Sequence, residues 1–246
     1  MVLPLFSAPA FSVLPKVGAE LTIGGSEGKH AVTVRRMRVG EGVQVADGLG
    51  NRVTGAVSRL GANELTFIVS EATFEPALEP RLALVQALAK GDRDELAIQA
   101  ATELGVESVV PWQADRSVSR WDGAKIAKGV ERWQAIVGEA SKQALRSRTP
   151  KVGSPVTSKQ LAGQLSELGT VLVLDPTAAE SISSVALPRQ GQITLVVGPE
   201  GGISDAELTL LETSGAVRVR LGAEILRTST AGMAAIAVLL SRLNRW

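Results

Sequence analysis

An α/β domain on a mainly parallel sheet, preceded by a small β-rich unit, is the fold class that the sequence predicts. Three observations lead there. From Arg81 onward, short apolar runs of buried-strand type alternate with amphipathic helical stretches, the pattern of a parallel sheet covered on both faces. Before about Phe74 the pattern is short, β-rich and turn-rich. Between the two textures, Pro76 and Pro80 mark a linker. The 246 residues suffice for two units with a core each, and the expected boundaries are 1–74 and 75–246.

Residues 1–5 are apolar but carry no basic segment, and Pro4, Pro9 and Pro15 break the stretch up, so a strand is expected there and not a signal peptide. Residues 43–45 alternate, Asp47-Gly48-Leu49-Gly50 has turn composition, and 52–57 resumes the strand. Residues 65–69 add a β-branched and aromatic stretch, which makes the first unit a small barrel or sandwich. In the second unit, 82–88 reads as a buried strand. Residues 93–104 form a helical pattern with Leu96, Ala97, Ala100, Ala101 and Leu104 on one face. Gly105 is placed to end that helix in a left-handed conformation. Val109 and Val110 suggest the next strand, 125–145 a long helix, and Pro150 lies past its end. Residues 171–174 and 193–197 are strands, 205–213 a helix, 217–221 a strand and 228–243 a closing helix.

Composition removes several chemistries. There is no cysteine, which excludes disulfides and thiolate ligands and fits a cytoplasmic protein. The single histidine, His30, leaves neither a His-rich metal site nor a Ser-His-Asp triad elsewhere, so no metal is expected. The longest apolar run, 231–240, is too short to span a bilayer, and no membrane partner is expected. Net charge is +1, so any nucleic acid must be held by a local patch. The four tryptophans are assigned to packing or interfaces.

Three segments carry chemistry. Gly198-Pro199-Glu200-Gly201-Gly202 comes after a strand and precedes a helix whose start has the S-x-x-E capping box, Ser204 and Glu207. Glycines let backbone amides approach a ligand, and open α/β sheets bind ligands at strand carboxyl ends. The loop has neither the P-loop lysine nor the G-x-G-x-x-G spacing, and by itself it is equally compatible with a plain βα turn. Residues 221–231 repeat the arrangement: a strand ends, a loop containing Arg227 passes, and Thr228 or Ser229 is placed to cap the last helix. Two such loops at one sheet edge look like the walls of one pocket. The third feature is basic. His30, Arg35, Arg36 and Arg38 cluster in the small unit, and Lys142, Arg146, Arg148 and Lys151 end the long helix. These can neutralise RNA phosphates, and the second cluster equally complements a helix C-terminal dipole.

In their order these segments resemble the RsmE family, the uridine-N3 methyltransferases of 16S ribosomal RNA in the SPOUT superfamily. The matching pieces are 30–40 (HAVTVRRMRVG), Asp47-Gly48, Glu103-Leu104-Gly105-Val106, 139–150 (EASKQALRSRTP), 198–204 (GPEGGIS) and 221–231 (LGAEILRTSTA). The last two together are quite specific, and the likeness spans nearly the whole chain. It implies a PUA-like β-barrel that helps hold RNA, and a SPOUT-type parallel-sheet domain whose end threads into a trefoil knot. Such threading is rare, and no periodicity shows it. The resemblance further implies a homodimer, S-adenosyl-L-methionine as cofactor, and as target uridine 1498 of 16S rRNA in the small ribosomal subunit. Carried onto this chain, the cofactor walls are Leu174, Gly198, Glu200, Gly201, Gly202, Leu221, Leu226, Arg227 and Thr230. The RNA-binding residues are His30, Arg35, Arg36, Arg38, Arg146 and Arg148. Arg227, between both loops, is the expected catalytic residue, stabilising negative charge that builds on the uracil. Two departures stand out: Ala144-Leu145 where the family often has a small residue and glycine, and Ser229 where it often has glutamate. A related methyltransferase acting on another RNA site, a dehydrogenase, and a non-catalytic RNA-binding ribosome-assembly factor remain the alternatives.

Overall fold

The structure, a computed structural model, describes residues 2–246. Met1, the start of the expected first strand, lies outside the described residues. Contacts divide the chain into two units. The first holds the described residues up to Ala77 together with Ser141–Thr149; the second holds Leu78–Ala140 and Pro150–Trp246.

The first unit is a five-stranded sheet. Its elements are β1 (Leu5–Ser7), β2 (Glu20–Ile23), the short α1 (Gly25–Lys29), β3 (Gly42–Ala46), β4 (Asn51–Leu60) and β5 (Leu65–Phe74). The order is β1-β3-β4-β5-β2, with β1 parallel to β3 and the other pairs antiparallel. All five strands send residues into one core, among them Phe6, Ile23, Val43, Val53 and Phe67, so the sheet curls around its own inner face. Neither β2 nor the turn after it is legible in the sequence pattern. That turn continues α1 through a π-turn over His30–Val34, closed by Arg35 N–H donating to the His30 carbonyl at 2.9 Å.

The segment Ser141–Thr149 joins this unit through specific bonds. Gly50 N–H donates to the Ser147 carbonyl, and Thr149 N–H to that of Gly48. Arg52 donates to the Leu145 carbonyl at 2.7 Å, and Lys142 pairs with Glu27 at 2.8 Å. Leu145 has φ 54°, the left-handed region a glycine enters without strain. Leu145 N–H and Arg146 N–H donate to the carbonyls of Lys142 and Ser141, the paired bonds of a Schellman helix end. Leu145 thus takes up a turn conformation that glycine adopts more readily.

The second unit contains β6 (Arg81–Ala87), α2 (Arg93–Glu103), β7 (Ser108–Gln113), α3 (Ala124–Gln143, its last turn in the first unit), β8 (Lys151–Val152), β9 (Val156–Thr157), α4 (Ser158–Gly163), β10 (Thr170–Leu174), β11 (Gln192–Val197), α5 (Asp205–Thr213), β12 (Val217–Val219) and α6 (Thr228–Arg242). The sheet order is β12-β10-β11-β6-β7-β8, with β9 also on β7, and every pair is parallel. Successive residues alternate between its faces. Leu84 and Leu195 meet α2, α3 and α6 on one side, while Val85 and Val196 meet α4 and α5 on the other. Trp112 and Trp133 are fully buried, Trp121 packs edge-on against Trp133, and Trp246 is 72% exposed.

The buried face of α2 corrects the sequence expectation. Ala97 and Ala101 face inward as expected, but Leu96 is 48% exposed and Ala100 is only half-buried. Asp94, Ile98 and Thr102 take their place. The cause sits in the first turn. Asp94 accepts a hydrogen bond from Ala89 N–H, which turns it inward, and the helical period then carries 97, 98, 101 and 102 with it. Burying Ile98 stabilises the domain by about 1.5–3 kcal/mol. The Thr102 hydroxyl donates to the Ile98 carbonyl at 2.7 Å, so its burial leaves no orphaned donor. Gly105 has φ 97° and ends α2 as expected.

Candidate functional site

Because the strands are parallel, the loops after β6, β10, β11 and β12 emerge at one sheet edge, where α/β folds bind ligands. They enclose a cavity of about 480 Å³. One wall is the loop 198–203 after β11, another Leu174, Asp175 and Pro176 after β10, and a third the stretch from Leu221 to Thr228. Of the expected cofactor residues, Leu174, Gly198, Glu200, Gly202, Leu221, Leu226 and Arg227 line it. Gly201 sits in the same loop and Thr230 in the first turn of α6, but neither borders the cavity. Arg93, Asp175 and Ile225 line it without having been expected.

The first loop is shaped by its glycines and its anchor. Gly202 has φ 72°, and a Cβ on Gly198 would lie 2.6 Å from the Ile203 side chain. The anchor is Glu207, 2% exposed. It forms the capping box with Ser204 that the sequence predicts. It also accepts from Asp115 N–H at 2.8 Å and from the Ser158 hydroxyl at 2.5 Å. The Ser158 hydroxyl in turn accepts from the Trp112 indole at 3.1 Å. Burial pushes the Glu207 carboxyl up, but the bonds from Ser158, Ser204 and Asp115 outweigh it and hold it below its ordinary range.

Glu200 is engaged rather than free. It accepts from Lys90 N–H at 2.9 Å and pairs with Arg93 at 2.7 Å, which ties the loop after β6 to the loop after β11. Burial raises its carboxyl, but the hydrogen bonds from its own amide, from Arg93 and from Lys90 N–H outweigh that and hold it below its ordinary range. Asp175 is held by Arg218 at 2.5 Å and by both the amide and hydroxyl of Thr177. Glu224 also lines the cavity and is exposed.

The start of α6 corrects a second expectation. The cap position is Arg227, with extended φ −71° and ψ 156°, and no side chain caps the helix. Thr228 lies one residue inside, and its hydroxyl donates to the Gly198 carbonyl at 2.7 Å while accepting from Gln86 Nε2 at 2.9 Å. Its hydroxyl is thus diverted from capping to joining the two loops. Gln86 is fully buried and its Oε1 has no hydrogen-bond partner among the described residues. An unpaired buried acceptor of this kind costs about 1–3 kcal/mol. A glutamine inside an otherwise apolar strand run was the signal that could have singled it out.

Asp94 gives this edge a pH dependence. Burial lifts its carboxyl to about 6, only partly opposed by the amides of Ala89 and Glu95. The folded state therefore favours the neutral acid. Its contribution is present below the unfolded value near 4 and is lost as pH rises through 6, by about 3 kcal/mol. Asp94→Asn should remove that decline, so the variant's stability advantage over the wild type should grow between pH 4 and pH 7 in urea melts. A constant difference across that range would contradict it.

In the first unit, Arg35, Arg36 and Arg38 are exposed on the turn after His30, anchored by buried Ala31 and Met37. Arg36 has φ 53°. His30 is half-buried and packs edge-on against Phe6. Arg146 is half-buried. Arg148 donates to the carbonyls of Leu49 at 2.6 Å and Glu75 at 3.4 Å, so its guanidinium holds the β3–β4 turn.

Comparison with known proteins adds to this geometry. A family model described as an RNA methyltransferase domain matches residues 76–240, and one described as an RNA methyltransferase PUA domain matches 23–70. The ribosomal RNA small subunit methyltransferase E of Mycobacterium bovis is 41% identical over 237 residues, covering 95% of this chain and 90% of its own. That of Bacillus subtilis is 32% identical, covering 89% and 88%. A crystal structure of the Neisseria gonorrhoeae ribosomal RNA small subunit methyltransferase E bound to S-adenosyl methionine superimposes with TM-score 0.87 at 27% identity, covering 98% of each chain. Among the described residues, no helix is long and apolar enough to cross a membrane.

Proposed function

The chain belongs to the ribosomal RNA small subunit methyltransferase E family, and from that premise we propose that it methylates N3 of uridine 1498 in 16S rRNA of the small subunit. It is an S-adenosylmethionine-dependent rRNA methyltransferase with a PUA-like N-terminal unit. The observation that carries the proposal is the cavity walled by the loop 198–203 and the stretch 221–228. Its size is that of a small-molecule site, about 300–1,000 Å³. Apolar Leu174, Leu221, Ile225 and Leu226 suit the adenine ring, and Gly198 and Gly202 put no side chain into the cavity. The residues fit the cofactor.

S-adenosylmethionine supplies an electrophilic methyl group on a sulfonium. The protein's part is placement and charge. The loop after β11 and Leu226 would hold that donor, and the protein would place N3 against it. N3 lies on the pairing edge of uracil, so the base enters unpaired or flipped out. Its proton must leave, and negative charge spreads over the ring as it does. Arg227, exposed at the cavity wall, stabilises that charge. The remaining expectations belong to the same proposal: a homodimer, a C-terminal knot, a cytoplasmic location, and RNA contacts from His30, Arg35, Arg36, Arg38, Arg146 and Arg148.

Arg35→Ala and Arg36→Ala should each weaken RNA binding across sequences. Each should also lower the slope of log affinity against log salt by about one. An unchanged slope in both would remove them from the interface. The function itself is tested by transfer of labelled methyl from S-adenosylmethionine to small subunits of a strain lacking its own enzyme. Incorporation into the rRNA is expected. Cofactor binding without incorporation would overturn the substrate, and RNA binding with no cofactor affinity would leave an assembly factor.

A further inference from the structure

We propose that Gln86 is a positioning residue of the methyl-transfer site: through the Thr228 hydroxyl, its buried amide holds the Gly198 loop and the start of α6 in the arrangement that binds the cofactor. The proposal rests on assigning the cofactor to the cavity above.

Three segments far apart in sequence meet at one hydroxyl. Gln86 stands near the end of β6, paired in register with Val197, the residue before Gly198. Its Nε2 donates to Thr228 Oγ1 at 2.9 Å, and Thr228 Oγ1 donates to the Gly198 carbonyl at 2.7 Å. A hydroxyl has one proton. With that proton on Gly198, Thr228 needs a donor from below, and Nε2 supplies it. The opposite amide orientation would present Oε1 to Thr228, draw the hydroxyl proton away and release the Gly198 carbonyl. The amide orientation therefore decides whether the two cavity walls are joined.

The orphaned Oε1 identifies what the glutamine is for. At 0% exposure, an acceptor with no partner makes this position less stable than an apolar side chain of similar size would. Leucine would remove the orphan and fit the apolar run of β6. Its cost would fall on the relay and on the 3.2 Å bond that Nε2 also donates to the Ala87 carbonyl. Stability and cofactor binding should then move in opposite directions on the same substitution, which a purely structural residue would not do.

The test compares Gln86→Leu, Thr228→Val and the double variant by calorimetric titration with S-adenosylmethionine and by thermal melting. Each single change should weaken binding roughly five- to tenfold. The double variant should bind no more weakly than Thr228→Val alone, because the relay is already broken. Gln86→Leu should melt at or above the wild-type temperature. Wild-type affinity in Gln86→Leu, additive losses in the double variant, or a Gln86→Leu protein that melts well below the wild type would each overturn the proposal. A wild-type protein that binds no S-adenosylmethionine would overturn the cofactor assignment, and the proposal with it.

Discussion

Arg227→Ala should slow methyl transfer by roughly 100- to 1,000-fold, the usual loss when a preorganised charge is removed from a site where an anion develops. Cofactor affinity should change far less, because Gly198, Gly202, Leu221 and Leu226 remain in the wall. The local structure makes this residue unusual. A cation at the cap of α6 faces the positive end of the helix dipole, an unfavourable place for it. Its guanidinium makes no ion pair among the described residues that would offset this. The alanine variant should therefore fold at least as well as the wild type while losing turnover. Lysine should restore only part of the rate, since a point charge cannot reproduce the planar guanidinium fork. Single-turnover rates at saturating cofactor, set beside cofactor titrations, check this. A variant with wild-type turnover and wild-type affinity would remove Arg227 from the chemistry.

Glu207→Leu should produce the largest loss of stability. The substitution leaves the buried Ser158 hydroxyl and the partly buried N–H groups of Asp115 and Ser204 without their acceptor. Removing one member of such a network costs about 3–5 kcal/mol. In a protein of this size that lowers the melting temperature by roughly 6–20 °C. Cofactor affinity should fall as well, because Ser204 ends the loop that begins at Gly198. The pH dependence has the opposite sign to that of Asp94. The Glu207 carboxyl lies below its ordinary value in the folded state, so its contribution is complete above about pH 4.3 and is lost as pH falls through the lowered value. Glu207→Gln should flatten this acid limb, and a limb unchanged in Glu207→Gln would contradict the role given to the charge.

Local signals in the sequence carried much of this architecture. The limits of α5, its capping box, and the stop at Gly105 all come from spacing within one turn of helix. The glycine loop could be placed because it lies between a strand pattern and a helix start. What escaped was non-local. Ser141–Thr149 belongs with the small unit because Gly48, Gly50 and Arg52 bond to it, and those partners lie about a hundred residues earlier. The inward face of α2 depends on an amide in the preceding loop, and helical period alone cannot give its phase. Thr228 looked like a cap because its composition fits one, yet its hydroxyl answers to Gly198 and Gln86. Arg148 was legible as a cation, but the carbonyls of Leu49 and Glu75 that engage it are distant in the chain. In each case the residue type was visible and the partner was not.

The identity of the reaction is read most directly from its product. Small ribosomal subunits from a strain lacking its own enzyme, treated with this protein and S-adenosylmethionine, are digested and their nucleosides and fragments identified by mass spectrometry. N3-methyluridine at a single position in the 16S rRNA is the expected product. A different methylated nucleoside, or N3-methyluridine scattered over many positions, would contradict the proposed reaction.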